Sequence, residues 1–271
     1  MKRLLISVRL VFVVYVSDAQ SVRDTVVVND EWRYEGEWPE GKGVLIHDTK
    51  GIFWGEFQEG VPRVCKHCDF HGNSYEGNIV DYLPDGYGRK FFKSGDVYDG
   101  QFQKGAMTGV AKYFDVGEEF KIKQGRFENG SFVEGRELVL TQEKFASMKP
   151  VFSMEGITEE QVDYLKKGIE NTHPPTFGKG DMNNFAKWVN SQLRYPSYSK
   201  KNGIQGRVML SFVIGEDGKI KDVEVLRGSP SKELDIEAVR VVSSAPKFRP
   251  AVINGHKTSV RYTFPVIFLL R

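Results

Sequence analysis

The chain has 271 residues, of which 40% are hydrophobic and 27% charged, and its formal net charge is +2. This length and composition are typical of a folded protein with two modest domains. Removing residues 1–19 takes away three basic side chains and one acidic side chain, which leaves no net charge. A neutral body lacks the broad basic surface that nucleic acid attracts, so we expect no nucleic-acid partner.

The N-terminus has the pattern of an export signal. Residues 1–3 carry two positive charges, residues 4–15 are apolar apart from Ser7 and Arg9, and small side chains at Ser17 and Ala19 precede a cleavage point. A membrane-spanning helix needs about 20 apolar residues, more than this segment offers. The pattern predicts a signal peptide over residues 1–19; the alternative is a retained membrane anchor.

Short units rich in glycine and aromatic residues repeat through the first half of the chain. Each begins with an aromatic residue and has glycines at similar offsets; the units are 34–43, 54–62, 75–88, 98–109 and a degenerate copy at 123–130. Repeats this short favour one β-hairpin per unit, stacked into a sheet over residues 20–137. The leading aromatic side chains are expected to form the packing ladder of that sheet: Tyr34, Trp38, Trp54, Tyr75 and Tyr98.

These units resemble MORN (membrane occupation and recognition nexus) repeats, whose pattern is Tyr-x-Gly-x-Trp/Phe-x-x-Gly. The resemblance covers residues 34 to about 130. It implies an elongated antiparallel sheet that serves as a scaffold or contact surface and carries no catalytic residue.

Two cysteines, Cys65 and Cys68, occur in the stretch "CKHCDFHG" with His67 and His71 close by. Thiolate and imidazole groups both bind zinc, but four ligands within seven residues would make an unusual zinc site. A small disulfide between Cys65 and Cys68, or a loop position, is the preferred interpretation in an oxidising compartment. We expect no metal and no cofactor.

Residues 138–180 are predicted to connect two domains. Thr158 is a candidate N-cap for a short helix over 158–170, and the pair Pro174-Pro175 enforces an extended segment after it.

The C-terminal segment, residues 181–271, predicts the order helix, strand, strand, helix, strand. Asp181 can cap the first helix, residues 207–214 and 219–228 form a hairpin, and a second helix covers 231–245. The fold class is therefore mainly β, with a hairpin sheet followed by an α-β-β-α-β domain whose three-stranded sheet is antiparallel.

Pro265 indicates where the last strand, 259–270, lies in that sheet. A crossover helix most easily returns the chain beside the first strand of the hairpin, which makes that strand central and the last strand an edge. On an edge, the missing N–H of Pro265 can point outward without loss of a ladder hydrogen bond. Arg261 and Pro265 would guard this edge, and an extended peptide could add to it as a further strand.

The segment from about Pro174 to Leu270 resembles the TonB C-terminal domain. The matching motifs are "PPTFGKGDMNNFAKWVNSQLRYP", "GIQGRVMLSFVIGEDGKIKDVEVLRGS", "ELDIEAVRVV", "FRPAVINGHK" and "VRYTFPVIF". The resemblance implies binding of the "TonB box" peptide of an outer-membrane transporter by strand addition. The positions that match the peptide-binding segments are Arg194, Tyr195, Pro196, Val260, Arg261, Tyr262, Thr263 and Phe264.

The resemblance also implies a periplasmic energy transducer that supports transmembrane transport and meets an inner-membrane motor. The chain departs from that pattern, because its apolar N-terminal segment is short and hairpin repeats replace a Pro-rich spacer. Two hypotheses remain: a TonB-like peptide-binding protein, and a structural repeat protein of the envelope whose C-terminal domain forms a homodimer. No complete catalytic constellation occurs, so we expect no enzymatic activity.

Overall fold

The computed structural model describes residues 25–29, 32–36, 40–117 and 119–270, and for 25–29 the backbone only. The chain forms two compact units, which meet in sequence between Glu170 and Asn171. The predicted signal segment, residues 1–19, lies outside the described residues. Within the described part of the chain, no helix is both long and apolar enough to cross a membrane.

The first unit is built on an eleven-stranded antiparallel sheet in which the strands follow one another in sequence order. Each strand pairs with the next one along the chain, as the hairpin repeats predict. The strands are β1 (Thr25–Asn29), β2 (Trp32–Gly36), β3 (Gly41–His47), β4 (Gly51–Gln58), β5 (Val61–Cys68), β6 (Ser74–Val80), β7 (Leu83–Phe91), β8 (Val97–Gln103), β9 (Ala106–Asp115), β10 (Lys121–Glu128) and β11 (Ser131–Val139).

A row of small residues crosses this sheet from β2 to β11. The members pair directly with one another on adjacent strands, and they are Gly36, Gly43, Gly55, Cys65, Gly77, Gly88, Gly100, Ala111, Gly125 and Gly135. A Cβ on Gly88 would lie 2.2 Å from the hydroxyl oxygen of Tyr75, and a Cβ on Gly43 would lie 2.1 Å from that of Tyr34. The repeated glycines therefore make room for tyrosine rings that lie flat across the row.

Aromatic rings pack edge to face along the small-residue row. Tyr34 contacts Phe57 at a centroid distance of 5.1 Å, and Tyr98 contacts Phe127 at 5.3 Å. The Tyr98 hydroxyl also donates a hydrogen bond of 2.7 Å to the carbonyl of Thr108. Tyr98 thus buries its apolar ring on this face and satisfies its polar hydroxyl.

The predicted aromatic ladder is wrong at one position. Trp54 pairs with Val44 and Lys66 on the opposite face of the sheet, where its indole Nε1 donates to the carbonyl of Glu155 at 3.0 Å. Its neighbour Phe53 lies on the ladder face instead, since the sequence Phe53-Trp54-Gly55 matches the aromatic-x-Gly spacing of the other units. Side chains alternate along a strand, so an offset of one residue changes the face. Trp38 lies outside the described residues.

Two helices cover the other face of the first sheet. They are α1 (Gln142–Met148) and α2 (Glu159–Glu170). Phe145 of α1 packs into a cluster with Phe91 and Phe114, and α2 starts with the predicted cap, in which the Gln161 N–H donates to Thr158 Oγ1. Most of the predicted connector therefore belongs to the first unit.

The second unit begins directly afterwards. The N–H of His173 donates to the carbonyl of Val252 at 2.8 Å, and that of Thr176 donates to the carbonyl of Arg249 at 3.1 Å. Its elements are α3 (Met182–Gln192), α4 (Ser197–Lys201), β12 (Gly206–Ile214), β13 (Ile220–Arg227), α5 (Lys232–Ser243), β14 (Ala251–Ile253), β15 (His256–Thr258) and β16 (Val260–Phe268). Helix α4 and the β14–β15 hairpin were not predicted.

The sheet of the second unit has the order β13-β12-β16 and is antiparallel throughout. The predicted central first strand and edge-lying last strand are confirmed. Helices α3 and α5 pack on one face of this sheet and bury Phe185 and Leu234 against Phe212, each of which is fully buried. Burial of a side chain of this size stabilises the fold by about 1.5–3 kcal/mol.

Candidate functional site

The candidate site is the outer edge of β16. This strand pairs only with β12 within the described residues, in an unbroken register from Val260 opposite Ile214 to Phe268 opposite Gly206. Pro265 lies opposite Met209 in the middle of this register.

The backbone groups of Pro265 face away from β12. The N–H of Gly215 donates to the carbonyl of Lys219 across the β12–β13 turn. Because hydrogen-bonding direction alternates along a strand, odd-numbered residues of β12 point toward β13 and even-numbered ones toward β16. Met209 is odd-numbered, so its N–H and C=O point toward β13 and form no hydrogen bond with Pro265. The missing N–H of Pro265 therefore costs no ladder hydrogen bond, as predicted from the sequence.

The same alternation identifies the free groups of the edge. Arg261, Thr263 and Ile267 share the direction of Pro265, so their N–H and C=O groups point outward from the sheet. Thr263 and Arg261 are exposed, and the Arg261 guanidinium folds back to donate to Ser211 Oγ at 3.1 Å. A row of alternating outward donors and acceptors is the arrangement that an added strand requires.

Side chains on the two faces of β16 differ in environment. Phe264 and Val266 are buried under the helices, with Tyr262 partly buried beside them. On the uncovered face Ile267 is 50% exposed, and beyond the end of the strand Leu269 is 69% exposed. These two apolar side chains were not among the predicted binding residues, although their alternation with buried neighbours gave the signal.

The second predicted group, Arg194-Tyr195-Pro196, lies in the turn between α3 and α4. The Tyr195 ring contacts Phe268 edge to face at 5.8 Å, and its hydroxyl donates to the carbonyl of Ile204 at 2.6 Å. Phe268 is eight residues from Val260, which corresponds to about 26 Å along a strand. The structure therefore brings Tyr195 to one end of β16, while Val260 and Arg261 mark the other end.

A buried carboxylate holds this turn in place. Glu237 of α5 is 8% exposed, and its Oε1 accepts a 2.7 Å hydrogen bond from the backbone N–H of Arg194. The guanidinium of Arg240 also pairs with it at 2.6 Å. Burial alone would raise the pKa of Glu237, but these bonds from Arg240 and Arg194 outweigh it, and the pKa is lowered. This long-range contact was not predicted from the sequence.

The proposed disulfide between Cys65 and Cys68 is wrong. Both cysteines are free and buried, and an odd spacing of three residues within β5 places their side chains on opposite faces. Three residues of strand separate the two Cα atoms by about 10 Å, beyond the roughly 7 Å that a disulfide tolerates.

Each cysteine is explained by its own surroundings. Cys65 occupies a position of the small-residue row and donates to the carbonyl of Glu56, whereas Cys68 lies beside the Ser74 hydroxyl on the other face. Burial raises the pKa of Cys65 to about 12 and that of Cys68 to about 11, so both thiols stay protonated and unreactive at neutral pH.

The histidines near these cysteines do not converge with them on a metal site. His67 stacks on Phe53 at a centroid distance of 3.9 Å, and its Nε2 lies 2.8 Å from the carbonyl of Lys50. No cluster of His, Cys, Asp and Glu suited to a metal ion occurs in the described part of the chain.

Comparison with known proteins identifies relatives of the second unit. A family model described as the Gram-negative bacterial TonB protein C-terminal matches residues 191–270. Protein TonB of Pseudomonas aeruginosa is 41% identical over 61 residues, which are 22% of this chain and 18% of that protein. Protein TonB of Helicobacter pylori strain 26695 is 28% identical over 83 residues, which are 31% of this chain and 28% of that protein.

The matched region is a short part both of this chain and of the curated relatives. The chain spans between 18% and 34% of the length of the curated relatives that it matches. An NMR solution structure of the Helicobacter pylori TonB C-terminal domain is 24% identical, with a TM-score of 0.28, over 43% of this chain and 97% of that one. Residues 191–270 of the second unit thus match the TonB C-terminal family, and this family match does not reach the eleven-stranded sheet of the first unit.

Proposed function

We propose that this is a non-enzymatic periplasmic protein whose second unit binds a TonB-box peptide of an outer-membrane transporter. The observation that carries the proposal is the outer edge of β16, which has no partner strand among the described residues and on which Pro265 costs no hydrogen bond. The family match over residues 191–270 supports it, because that match includes the whole of β16.

In this mechanism the guest peptide forms a fourth strand beside β16. The outward backbone groups of Arg261, Thr263 and Ile267 exchange hydrogen bonds with it, which supplies affinity that depends little on the guest's sequence. Side chains of the guest on the uncovered face meet Arg261 at one end of the strand and Ile267 at the other. Val260, Tyr262 and Phe264 fix the strand against β12, and Tyr195 supports its Phe268 end.

The first unit has a mechanical part in the proposal. Its MORN-like hairpins form a sheet held by close contacts between backbone and rings, which suits a scaffold that carries the binding module away from a membrane. If the N-terminal segment is retained, it would anchor the protein in the inner membrane with the two units in the periplasm. The segment could then contact inner-membrane motor proteins. A cleaved segment would release a soluble adaptor, so detection of residues 1–19 on the exported protein separates transducer from adaptor.

Thr263→Pro tests the strand addition. Because the N–H of Thr263 points outward, proline at this position removes a donor to the guest while the ladder to β12 stays complete. We expect wild-type protein to bind TonB-box peptides saturably in calorimetric titration, and the variant to lose at least about tenfold in affinity. Unchanged thermal unfolding of the variant would confirm that the sheet is intact.

Peptide chemistry provides the matched control. N-methylation of guest residues whose N–H groups face β16 should abolish binding, and N-methylation of the alternate residues should leave it unchanged. Equal affinity of Thr263→Pro and wild type would contradict the proposal. Absence of peptide binding together with a dimer that Thr263→Pro dissociates would favour the alternative, in which β16 pairs with a second copy.

A further inference from the structure

A second free edge belongs to β11, the last strand of the first sheet. Within the described residues β11 pairs only with β10, and its nine residues include no proline. Val133 is 46% exposed and Val139 is 62% exposed. A long exposed edge without proline is a natural template for pairing with another strand.

Two opposite charges flank Gly135 in the regular part of β11, with Glu134 before this glycine and Arg136 after it. A β-bulge at Val133 interrupts the pairing with β10, and beyond it the Phe132 ring contacts Phe127. Arg136 has no ion pair in the described structure and hydrogen-bonds only to Gln124 Oε1. Glu134 is paired weakly, at 3.7 Å from Arg126, and its side chain is 78% exposed.

We propose that β11 binds β11 of a second copy of this chain, antiparallel and with a twofold axis at Gly135. In this register Glu134 faces Arg136 of the second copy, and the same pair forms again on the other side of the axis. Opposite charges placed directly across from one another stabilise antiparallel strands.

Neighbouring registers lack this complementarity. A shift by one residue in one direction pairs Glu134 with Glu137 of the second copy, and a shift by two places Arg136 against Arg136. A shift by two residues in the other direction pairs Glu134 with Glu134. Like charges directly opposite are destabilising, so the charges select the register centred on Gly135.

The pairing of β10 with β11 already places two glycines, and two opposite charges, directly across from one another. Gly125 lies opposite Gly135, and Arg126 lies opposite Glu134. Gly135 has a φ of +146°, a conformation that suits only glycine. In the dimer the two glycines at the axis would meet, and the small-residue row would continue from one copy to the other.

The opposite edge of the first sheet is a poorer partner for β11. Strand β1 has the sequence Thr-Val-Val-Val-Asn and offers no charge to Glu134 or Arg136. A head-to-tail contact of β11 with β1 would also leave free edges at both ends and would produce open polymers. Pairing of β11 with itself closes after two copies.

Charge reversal tests the proposal in the full chain. A single strand pair is a small interface, so we expect a reversible dimer with a dissociation constant on the order of 100 μM in sedimentation equilibrium. Arg136→Glu turns both ion pairs into repulsions and should weaken the dimer at least about tenfold. The double variant Glu134→Arg/Arg136→Glu restores complementarity and should regain it, whereas Arg63→Glu, at an exposed position of β5, should have no effect.

Several outcomes would overturn the proposal. These are a monomer up to about 1 mM, a dimer indifferent to Arg136→Glu, a dimer that Thr263→Pro dissociates, and open-ended polymers. Thermal unfolding of each variant separates loss of the dimer from loss of the fold.

Discussion

The two sheets of this protein are specified by different kinds of sequence information. In the first sheet each strand pairs with the next one along the chain, and a short local pattern repeats from hairpin to hairpin. In the second sheet β12 pairs with β16 across an intervening helix. Local repetition therefore determines the first sheet, and burial against helices determines the second.

The two units also use different contacts to fix their strands. The first sheet depends on missing side chains, since Tyr75 occupies the space that a Cβ on Gly88 would need. The second depends on side chains that are present, with Phe185 and Phe212 filling the layer between helices and sheet. Added volume should thus damage the first unit most, and removed volume the second.

Gly88→Val should have a large effect on the first unit. Its Cβ would lie 2.2 Å from the Tyr75 hydroxyl oxygen and 2.5 Å from the ring carbon that bears it, in the middle of the sheet. Neither strand can move away without breaking its pairing, so we expect a loss of about 3–5 kcal/mol in the free energy of unfolding of the first unit. Denaturant unfolding followed by tryptophan fluorescence and circular dichroism measures it.

The matched change in the second unit is Phe212→Ala, which removes a buried ring and leaves a cavity. It should destabilise that unit by about 3–5 kcal/mol and leave the unfolding of the first unit unchanged. If Gly88→Val destabilised both units equally, or had no effect, the distinction between the two units would be wrong.

Glu237→Gln should have a smaller effect, confined to the second unit. The substitution keeps the shape of the side chain but removes the charge that binds Arg240 and the Arg194 N–H, at a cost of about 1–2 kcal/mol. Because the folded-state pKa of Glu237 is lowered, its contribution is complete above about pH 4.5, the ordinary value, and is lost as the pH falls through the lowered pKa. Urea unfolding at pH 7 and pH 3 measures the difference.

The difference between Glu237→Gln and wild type should therefore shrink at pH 3. Gln161→Glu is the comparison variant for this pH dependence. It places a new acidic group next to Glu35 in the first unit and changes no residue of the second unit. A Glu237→Gln effect that stayed constant from pH 7 to pH 3 would show that the carboxylate is not the stabilising group.

Much of the fold can be predicted from the sequence because its main signals are local. Spaced glycines and aromatic residues predict the hairpins of the first unit, and Pro265 with the helix–strand order predicts that β16 lies on an edge. The offset between Phe53 and Trp54 shows the limit of pattern matching. Two adjacent aromatic residues satisfy a loose motif equally well, and only the position of Gly55 decides which of them faces the row.

Features that depend on distant contacts were not predictable. Glu237 lies in the second turn of α5, and its bond to Arg194 appears only once α5 lies beside the α3–α4 turn. The disulfide prediction was wrong for a related reason. It relied on the short sequence spacing of residues 65 and 68, but in an extended β-strand this spacing places the two side chains on opposite faces and too far apart to bond.

The site was predictable in part. The edge position of β16 follows from topology and from one proline, whereas Arg261 and Thr263 were predicted as binding residues from the resemblance to the TonB C-terminal domain. The distribution of contacts along β16 could not, because it depends on where the turn at Tyr195 meets Phe268. Ile267 and Leu269 are exposed, whereas Phe264 and Val266 on the opposite face of β16 pack under the helices.

Amide hydrogen exchange along β16, with and without a TonB-box peptide, examines this edge residue by residue. In the free protein the amides of Tyr262 and Phe264 should be protected, whereas those of Arg261, Thr263 and Ile267 should exchange rapidly. Saturation with peptide should slow the three outward amides and leave the inward ones unchanged. Slow exchange of the outward amides in the free monomer, or no change on binding, would contradict a free edge that accepts a guest strand.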